Sequence, residues 1–367
     1  MVSPCATPPR RSFAPEPAGL DAPFASDSGT ACREEENMTA PHTRTALVLG
    51  ATGGIGGETA AALARHGWTI RALSRGGKPA HDSSGWEWVQ GDSMDRDSIV
   101  RAAQGVQAIM HAVNPPGYRG WSQLVLPMIE NTVEAARVSG ARILLPGTIY
   151  NYGQDAYPVL REDSPQRATT HKGKVRIALE QKLEEAAREG VRSLILRFGD
   201  FFGPNPGNSW FSQGMVRPGQ PLRSVTYPGK PGVGHTWAYL PDAGEAFARV
   251  LERDADLDTF ARFHFQGYWD ADGTGMVETI RRVVGNPRLP VRPLPWFVFR
   301  VAAPFNETMR ELYAVRPLWE HSIELDNTRL VAFLGAEPHT PWDEAMGTTL
   351  RGLGCLTTPE GGTRSAV

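Results

Sequence analysis

Cysteine is scarce in this 367-residue chain. Only Cys5, Cys32 and Cys355 occur, and none has the CxxC or CxxH spacing of a structural zinc site. A disulfide framework is equally unsupported, so a reducing cytoplasm is the expected compartment. An excess of one charge is also missing. The 38 basic and 40 acidic residues leave a formal net charge of −2, with no global basic field to attract nucleic acid or an anionic membrane. No uncharged apolar run approaches the roughly 20 residues that cross a bilayer, which argues against a transmembrane helix. The expected partner is a small molecule, not nucleic acid and not a membrane. Lysine is rare as well. Lys78, Lys172, Lys174, Lys182 and Lys230 are the five among 38 basic residues, so a lysine in a pocket draws notice.

What is present is an ordinary globular composition, 41% hydrophobic and 21% charged, with length for two modest domains or one large one. Residues 1–38 hold Pro4, Pro8, Pro9, Pro15, Pro17 and Pro23 among small polar neighbours and read as a disordered tail. No apolar stretch there suits a secretory signal, and Asp21, Asp27 and Glu34–Glu36 oppose an organellar transit peptide. Met38 stands close enough to the first ordered strand to be an alternative start. Residues 353–367 read as a second tail.

From Thr45 onward, short apolar runs alternate with helical patterns. Strands are expected at Thr45–Leu49, Thr69–Ser74, Trp86–Gln90, Ala108–Val113, Arg142–Leu145 and Arg192–Phe198. Helices are expected at Ile55–His66 (packed through Ala60, Ala61, Leu63 and Ala64), Ile99–Gln104, Leu124–Ser139 and Val175–Glu189. This alternation defines an α/β chain: a Rossmann-type doubly wound parallel sheet. After Phe198 come many prolines and glycines, then a strand at Trp237–Leu240, a helix at Asp242–Arg253 capped by Asp242, and a helix at Gly275–Val284. Residues 39–200, with about 236–255, are expected to form the NAD(P)-binding domain. Residues 201–235 and 256–352 are expected to form a smaller C-terminal α/β substrate lobe with an apolar pocket, since most of the tryptophans lie beyond Phe198.

The loop Gly50-Ala-Thr52-Gly53-Gly54-Ile55-Gly56 joins the first strand to the first helix. Glycines there permit a tight turn and close backbone approach to a pyrophosphate, and the helix start supplies N–H donors and a positive dipole end. The second strand ends in Ser74-Arg75 with no acidic residue. A carboxylate at that point would hold the 2′-hydroxyl of NAD, whereas Arg75 favours the 2′-phosphate of NADP. NADP is therefore the expected cofactor, with NAD as the alternative. Asp92 and Ser93, after the third strand, are placed to approach the adenine, and Ala112 follows the fourth strand in the same site.

With these motifs in view, the chain from about Thr45 to Leu350 resembles the extended short-chain dehydrogenase/reductase superfamily, of the NAD(P)-dependent epimerase/dehydratase type. The resemblance also rests on Gly91-Asp92, Met110-His-Ala112, Asn131, Leu145-Pro-Gly-Thr148-Ile-Tyr-Asn-Tyr152-Gly153 and Leu196-Arg-Phe-Gly-Asp-Phe-Phe-Gly203-Pro204. It implies catalysis by a Ser/Thr and a Tyr-xxx-Lys pair, in which the phenol exchanges a proton with the substrate while hydride moves. Thr148 falls at the Ser/Thr position. Aligning the family's helical Glu with Glu180 puts Lys172 where the tyrosine belongs and Arg176 where the lysine belongs.

Lys172 then becomes the candidate proton donor, as in isoflavone-reductase-like relatives that work through a lysine. Arg176 becomes the candidate ribose ligand, since its planar fork does not titrate. Lys174, Tyr150 and Tyr152 are the rivals. His111 is expected to be a packed, hydrogen-bonded residue, and no metal site is expected. The resulting expectation is an NADP-dependent oxidoreductase acting on a small carbonyl or alcohol. Alternatives are a catalytically silent NAD(P)-binding regulator, like the nitrogen-metabolite-repression regulators, or an NAD-dependent sugar epimerase/dehydratase. The two long helices of the superfamily raise the prospect of a homodimer.

Overall fold

The computed structural model describes residues 44–115, 120–205, 207 and 209–356. The tail expected at 1–38, and the part of the 353–367 tail beyond Leu356, lie outside the described residues. In chain order the first half runs β1 (Thr45–Leu49), α1 (Gly54–Arg65), β2 (Thr69–Ser74), β3 (Glu87–Gln90), α2 (Arg96–Ala102), β4 (Ala108–His111), α3 (Trp121–Ser139), β5 (Arg142–Thr148), β6 (Val159–Leu160), α4 (His171–Arg188) and β7 (Ser193–Phe198). The second half runs β8 (Asp200–Phe202), β9 (Val225–Tyr227), β10 (His235–Tyr239), α5 (Leu240–Glu252), β11 (Phe260–His264), β12 (Tyr268–Asp270), α6 (Gly275–Val284), β13 (Val291–Pro293), α7 (Trp296–Ala302), α8 (Glu307–Ala314), β14 (Glu324–Leu325), α9 (Thr328–Leu334) and α10 (Trp342–Gly352).

Seven strands pair in the order β11-β7-β5-β4-β1-β2-β3, every pair parallel. Side chains alternate across such a sheet. Ala46 and Val48 of β1 therefore join a core with α1, α5 and α9, while Leu47 and Leu49 join one with α2, α3 and α4. Each fully buried leucine of this kind contributes about 1.5–3 kcal/mol over an exposed one. The strand order reverses between β1 and β4. A crevice opens there, outside the carboxyl ends of the strands, where open α/β sheets bind ligands. Beyond β7, a small sheet β12-β10-β8 and the pair β9–β13 carry a separate core built on Phe202, Phe211, Trp237, Tyr268 and Trp319, while the pair β6–β14 packs in a smaller cluster with Ile149 and Tyr152.

Several expectations are corrected. β11 pairs with β7 as the seventh strand, although residues 256–352 were assigned to the substrate lobe. Its FARFH sequence lacks the continuous aliphatic run of an interior strand because it lies at the sheet edge. On α1 it is Ala62, with Thr59, Ala60 and Leu63, that is buried, whereas Ala64 is exposed and Ala61 half-buried. Asp242 is not a helix cap. α5 begins at Leu240, and the buried Asp242 carboxylate accepts from Thr340 N–H (2.8 Å) and Thr340 Oγ1 (2.7 Å). Leu353 and Cys355, expected in the tail, are buried against the substrate-lobe core.

Candidate functional site

Gly50 turns the chain out of β1 with φ at +92°, in the left-handed region that favours glycine. A Cβ on Gly50 would stand 2.7 Å from the Ala112 carbonyl oxygen, and one on Gly56 would strike the Gly50 carbonyl. These two positions let β1, β4 and α1 close against one another without side chains between them. Gly53 N–H donates to the Gly50 carbonyl at 2.9 Å, and α1 starts at Gly54 with no side-chain cap and no acidic residue in its first turn. Its first N–H groups and positive dipole end are therefore available to an anion.

A cavity of about 1450 Å³ begins at this loop, lined by Gly50, Thr52, Gly53, Gly54 and Ile55. From the loop it extends past Ser74, Arg75, Asp92 and Ser93 after β2 and β3, and on the other side past Ala112 after β4 to Thr148, Lys172 and Arg176. Every site residue expected from sequence lines it except Gly56, which lies behind the loop as packing.

At the β2 end, Arg75 is exposed and its carbonyl accepts from Gln90 Nε2 at 3.2 Å. Lys78 points away, with Nζ 3.7 Å from Asp82 Oδ2. Asp92 Oδ1 accepts from Met94 N–H at 3.0 Å, and Asn131 Nδ2 donates to the Ser93 carbonyl at 3.0 Å. The turn after β3 is thereby held against α3.

The Lys172 end is assembled by close packing. Thr170 caps α4 by accepting from Gly173 N–H at 3.0 Å. A Cβ on Gly173 would collide with the Tyr150 carbonyl, so the first turn of α4 rests directly on the 3₁₀ turn Ile149–Asn151 that follows β5. That contact sets Lys172 Nζ 4.3 Å from the centre of the Tyr150 ring. Lys172 is 6% exposed, and burial together with the Arg176 charge lowers its pKa to about 7, against the pull of Asp200 and Glu311. The Arg176 guanidinium lies 5.1 Å from the centre of the Trp121 ring. Thr148 Oγ1 is buried and makes no hydrogen bond among the described residues. A substrate oxygen in the cavity would give it a partner.

Behind this end stands a paired cluster. The buried Glu180 accepts from Arg197 Nη2 at 2.8 Å, Asn151 Nδ2 at 2.9 Å and Gln166 Nε2 at 2.9 Å. Burial pushes the Glu180 carboxyl up, but Arg197 and the other partners outweigh it and the net shift is down. Arg197 Nη1 also donates to the Thr148 carbonyl, which ties the end of β5 to this cluster.

Two of the three rivals of Lys172 lie outside the cavity lining. Lys174 is exposed and outside the lining. Tyr152 faces away, its hydroxyl 3.2 Å from His264 Nε2 and buried, and burial raises its pKa. Tyr150 does line the cavity, beside Lys172. His111 is buried with Nδ1 2.8 Å from Thr132 Oγ1. Since Thr132 donates to the Met128 carbonyl, the His111 Nδ1–H is the donor to Thr132. Burial and Arg176 lower its pKa to about 3, so it is neutral at physiological pH.

Two wall residues escaped notice in the sequence. Asp200 lies within a quoted family motif, and His235 Nε2 meets its Oδ2 at 2.9 Å. Trp210 was one of many lobe aromatics, and nothing in its neighbours distinguished it from the core tryptophans Trp237 and Trp319.

This fold and cavity belong with a known class. The family model described as "NAD dependent epimerase/dehydratase family" matches residues 46–262. The chain belongs to that family, whose members are nicotinamide-dependent enzymes, within the extended short-chain dehydrogenase/reductase superfamily. Among characterised relatives, a 3-diazoavenalumate denitrifying reductase from Streptomyces sp is 28% identical over 176 residues, covering 44% of this chain and 57% of that protein. A 3beta-hydroxysteroid-dehydrogenase/decarboxylase isoform 2 from Arabidopsis thaliana is 22% identical over 304 residues, covering 74% and 52%. The chain thus spans a little over half the length of these relatives. In fold it is similar to a UDP-glucose 4-epimerase from Brucella ovis in complex with NAD. That likeness has a TM-score of 0.68 at 15% identity, over 85% of this chain and 99% of the other.

Proposed function

We propose that this protein is an NADP-dependent oxidoreductase exchanging hydride with a small carbonyl or alcohol substrate, with Lys172 in place of the usual tyrosine. One observation carries the reading. The only buried lysine among the described residues lines the cavity beside Thr148 and Arg176, with its pKa brought to about 7. A general acid works best when its pKa lies near the working pH.

The residues fit a dinucleotide. Side chains are excluded at Gly50 and Gly56 by the backbone itself, and the start of α1 is uncapped. Thr52, Gly53 and Gly54 would hold the pyrophosphate, Arg75 the 2′-phosphate and Arg176 the nicotinamide ribose. The bound cofactor supplies or accepts the hydride. Thr148 Oγ1 donates to the substrate oxygen and orients it. In reduction, the Lys172 ammonium passes a proton to that oxygen as the carbonyl carbon gains hydride, and solvent then reprotonates the amine. In oxidation the neutral amine takes the hydroxyl proton. Epimerisation is disfavoured because the usual phenol base is absent. The names of the two relatives, a reductase and a dehydrogenase, support redox chemistry.

The test pairs NADPH binding with turnover on a panel of ketones and aldehydes. Lys172→Ala should lower kcat by about 10²–10⁴-fold and leave NADPH affinity within a few-fold. Because the acid must be protonated, wild-type reduction should fall as pH rises through about 7, and oxidation should rise. Normal turnover in the variant would remove Lys172 from the mechanism. Tight NADPH binding with no turnover on any carbonyl would favour the silent regulator instead.

A further inference from the structure

Three arginines that line the cavity have no part in the hydride-transfer reading: Arg217, Arg223 and Arg292. All three are exposed, so they stand at its opening. β9 and β13 pair in parallel with Arg292 opposite Thr226, and Arg223 precedes Thr226 by three residues. Paired positions point to one side of a sheet, and Ser224, Thr226 and Arg292 all line the cavity. None of the three arginines forms an ion pair among the described residues. Elsewhere exposed arginines find carboxylates, as Arg161 does in Asp326 (3.1 Å) and Arg282 in Asp343 (2.7 Å). The two carboxylates of the cavity wall are placed otherwise. Asp92 follows β3 on the Arg75 side, and Asp200 already meets His235 Nε2 at 2.9 Å.

The wall shared with these arginines is largely apolar and aromatic. Trp210 packs on Trp296 with ring centres 5.8 Å apart, and Trp296 on Phe299 at 5.5 Å. α7 gives Phe299 to the cavity and turns Phe297, Val298 and Val301 to water. Resting on the oxidoreductase reading above, we propose that the substrate is an aromatic carbonyl compound bearing an oxyanion, a carboxylate or a phosphate. Its ring lies against Trp210 and Phe299 and loses apolar surface to them. Its anion meets Arg223 and Arg292, whose planar forks match two oxygens at once. Unpaired cations at one opening also draw an anion toward the site before it binds. A neutral carbonyl compound of the same shape gains the apolar contact alone and is discriminated against.

Binding is read by calorimetry on the full chain, with and without NADPH. The anionic probes are 4-formylbenzoate and 4-formylphenyl phosphate, 4-formylbenzamide is the neutral one, and succinate semialdehyde is an anion without a ring. NADPH oxidation is followed with the same four. An aryl anion should bind about tenfold or more tighter than the amide and the semialdehyde, and the tighter of the two assigns the carboxylate or the phosphate. The double variant Arg223→Ala/Arg292→Ala should erase that margin with melting temperature and NADPH affinity unchanged, which shows that the fold persists. The proposal fails if neither aryl anion binds, or if the amide or the semialdehyde binds as tightly. It also fails if the double variant keeps the margin, or loses NADPH affinity to the same extent, since these arginines would then serve the nucleotide. Binding of an aryl anion without NADPH oxidation would strike the oxidoreductase reading and leave the anion site standing. Equal reduction of the amide and the benzoate would do the reverse.

Discussion

Arg197 on β7 and Lys172 on α4 are both buried cations, and both bear on the end of β5. Arg197 holds the Thr148 carbonyl, and Lys172 lies over Tyr150 two residues later. Their surroundings differ in sign. Burial alone would lower the Arg197 pKa, but Glu180 and Tyr152 more than offset it, and the net shift is up. At Lys172, burial and Arg176 act together and the shift is down. One cation is stabilised as a charge and serves as a fixed support. The other is held close to neutrality and is suited to gaining and losing a proton. The surrounding charges, and not the sign of the side chain, set the two cations apart.

The contrast can be broken most strongly at Glu180. Glu180→Ala should leave Arg197 buried without its carboxylate and lower unfolding stability by about 3–5 kcal/mol, measured by urea denaturation. A loss below 1 kcal/mol would mean that Arg197 is supported elsewhere.

Next in size is the opposite response at Lys172. A lysine whose folded pKa is depressed binds fewer protons folded than unfolded, so stability rises with pH between the folded and unfolded values. That window runs from about 7 to the model-peptide value of 10.5. Below about 7 the buried charge costs stability in full. Lys172→Met should therefore stabilise the protein at pH 6 by on the order of 2 kcal/mol and flatten this pH dependence, whereas Arg197→Met should destabilise it. Destabilisation by Lys172→Met at pH 6 would refute the assignment of opposite fields.

The smallest effect concerns the distant end of the same cavity. Arg75→Ala should weaken NADPH binding by about tenfold and leave NADH binding nearly unchanged, read by fluorescence titration. Equal losses for both nucleotides would remove Arg75 as a residue that discriminates between NADP and NAD.

Much of the nucleotide half was legible because its signals are local. β1 is a continuous apolar run ending at glycines, and a parallel strand buried on both faces requires that pattern. Gly50 and Gly56 mark a tight turn, and in the fold a Cβ at either position would strike the backbone of Ala112 or Gly50. Thr148 and Lys172 were found by alignment to a motif, and both line the cavity. The edge strand β11 was missed because FARFH has neither alternation nor an aliphatic run. Asp242 was read as a cap because its true partner, Thr340, is 98 residues away. Tyr150 and Tyr152 were inseparable in sequence. A short turn after β5 sends one phenol toward Lys172 and the other toward His264.

The sequence by itself determined the strand–helix alternation, the glycine loop, the missing phenol and the lysine in its place. Each is a matter of residue type or of spacing within a few turns of chain. Only the tertiary structure decided that Lys172 is desolvated beside Arg176, that Arg197 is neutralised by Glu180, and that α7 turns one apolar face to the cavity and another to water. Proton affinity and exposure depend on which groups, distant in sequence, enclose a side chain. No window along the chain contains that information.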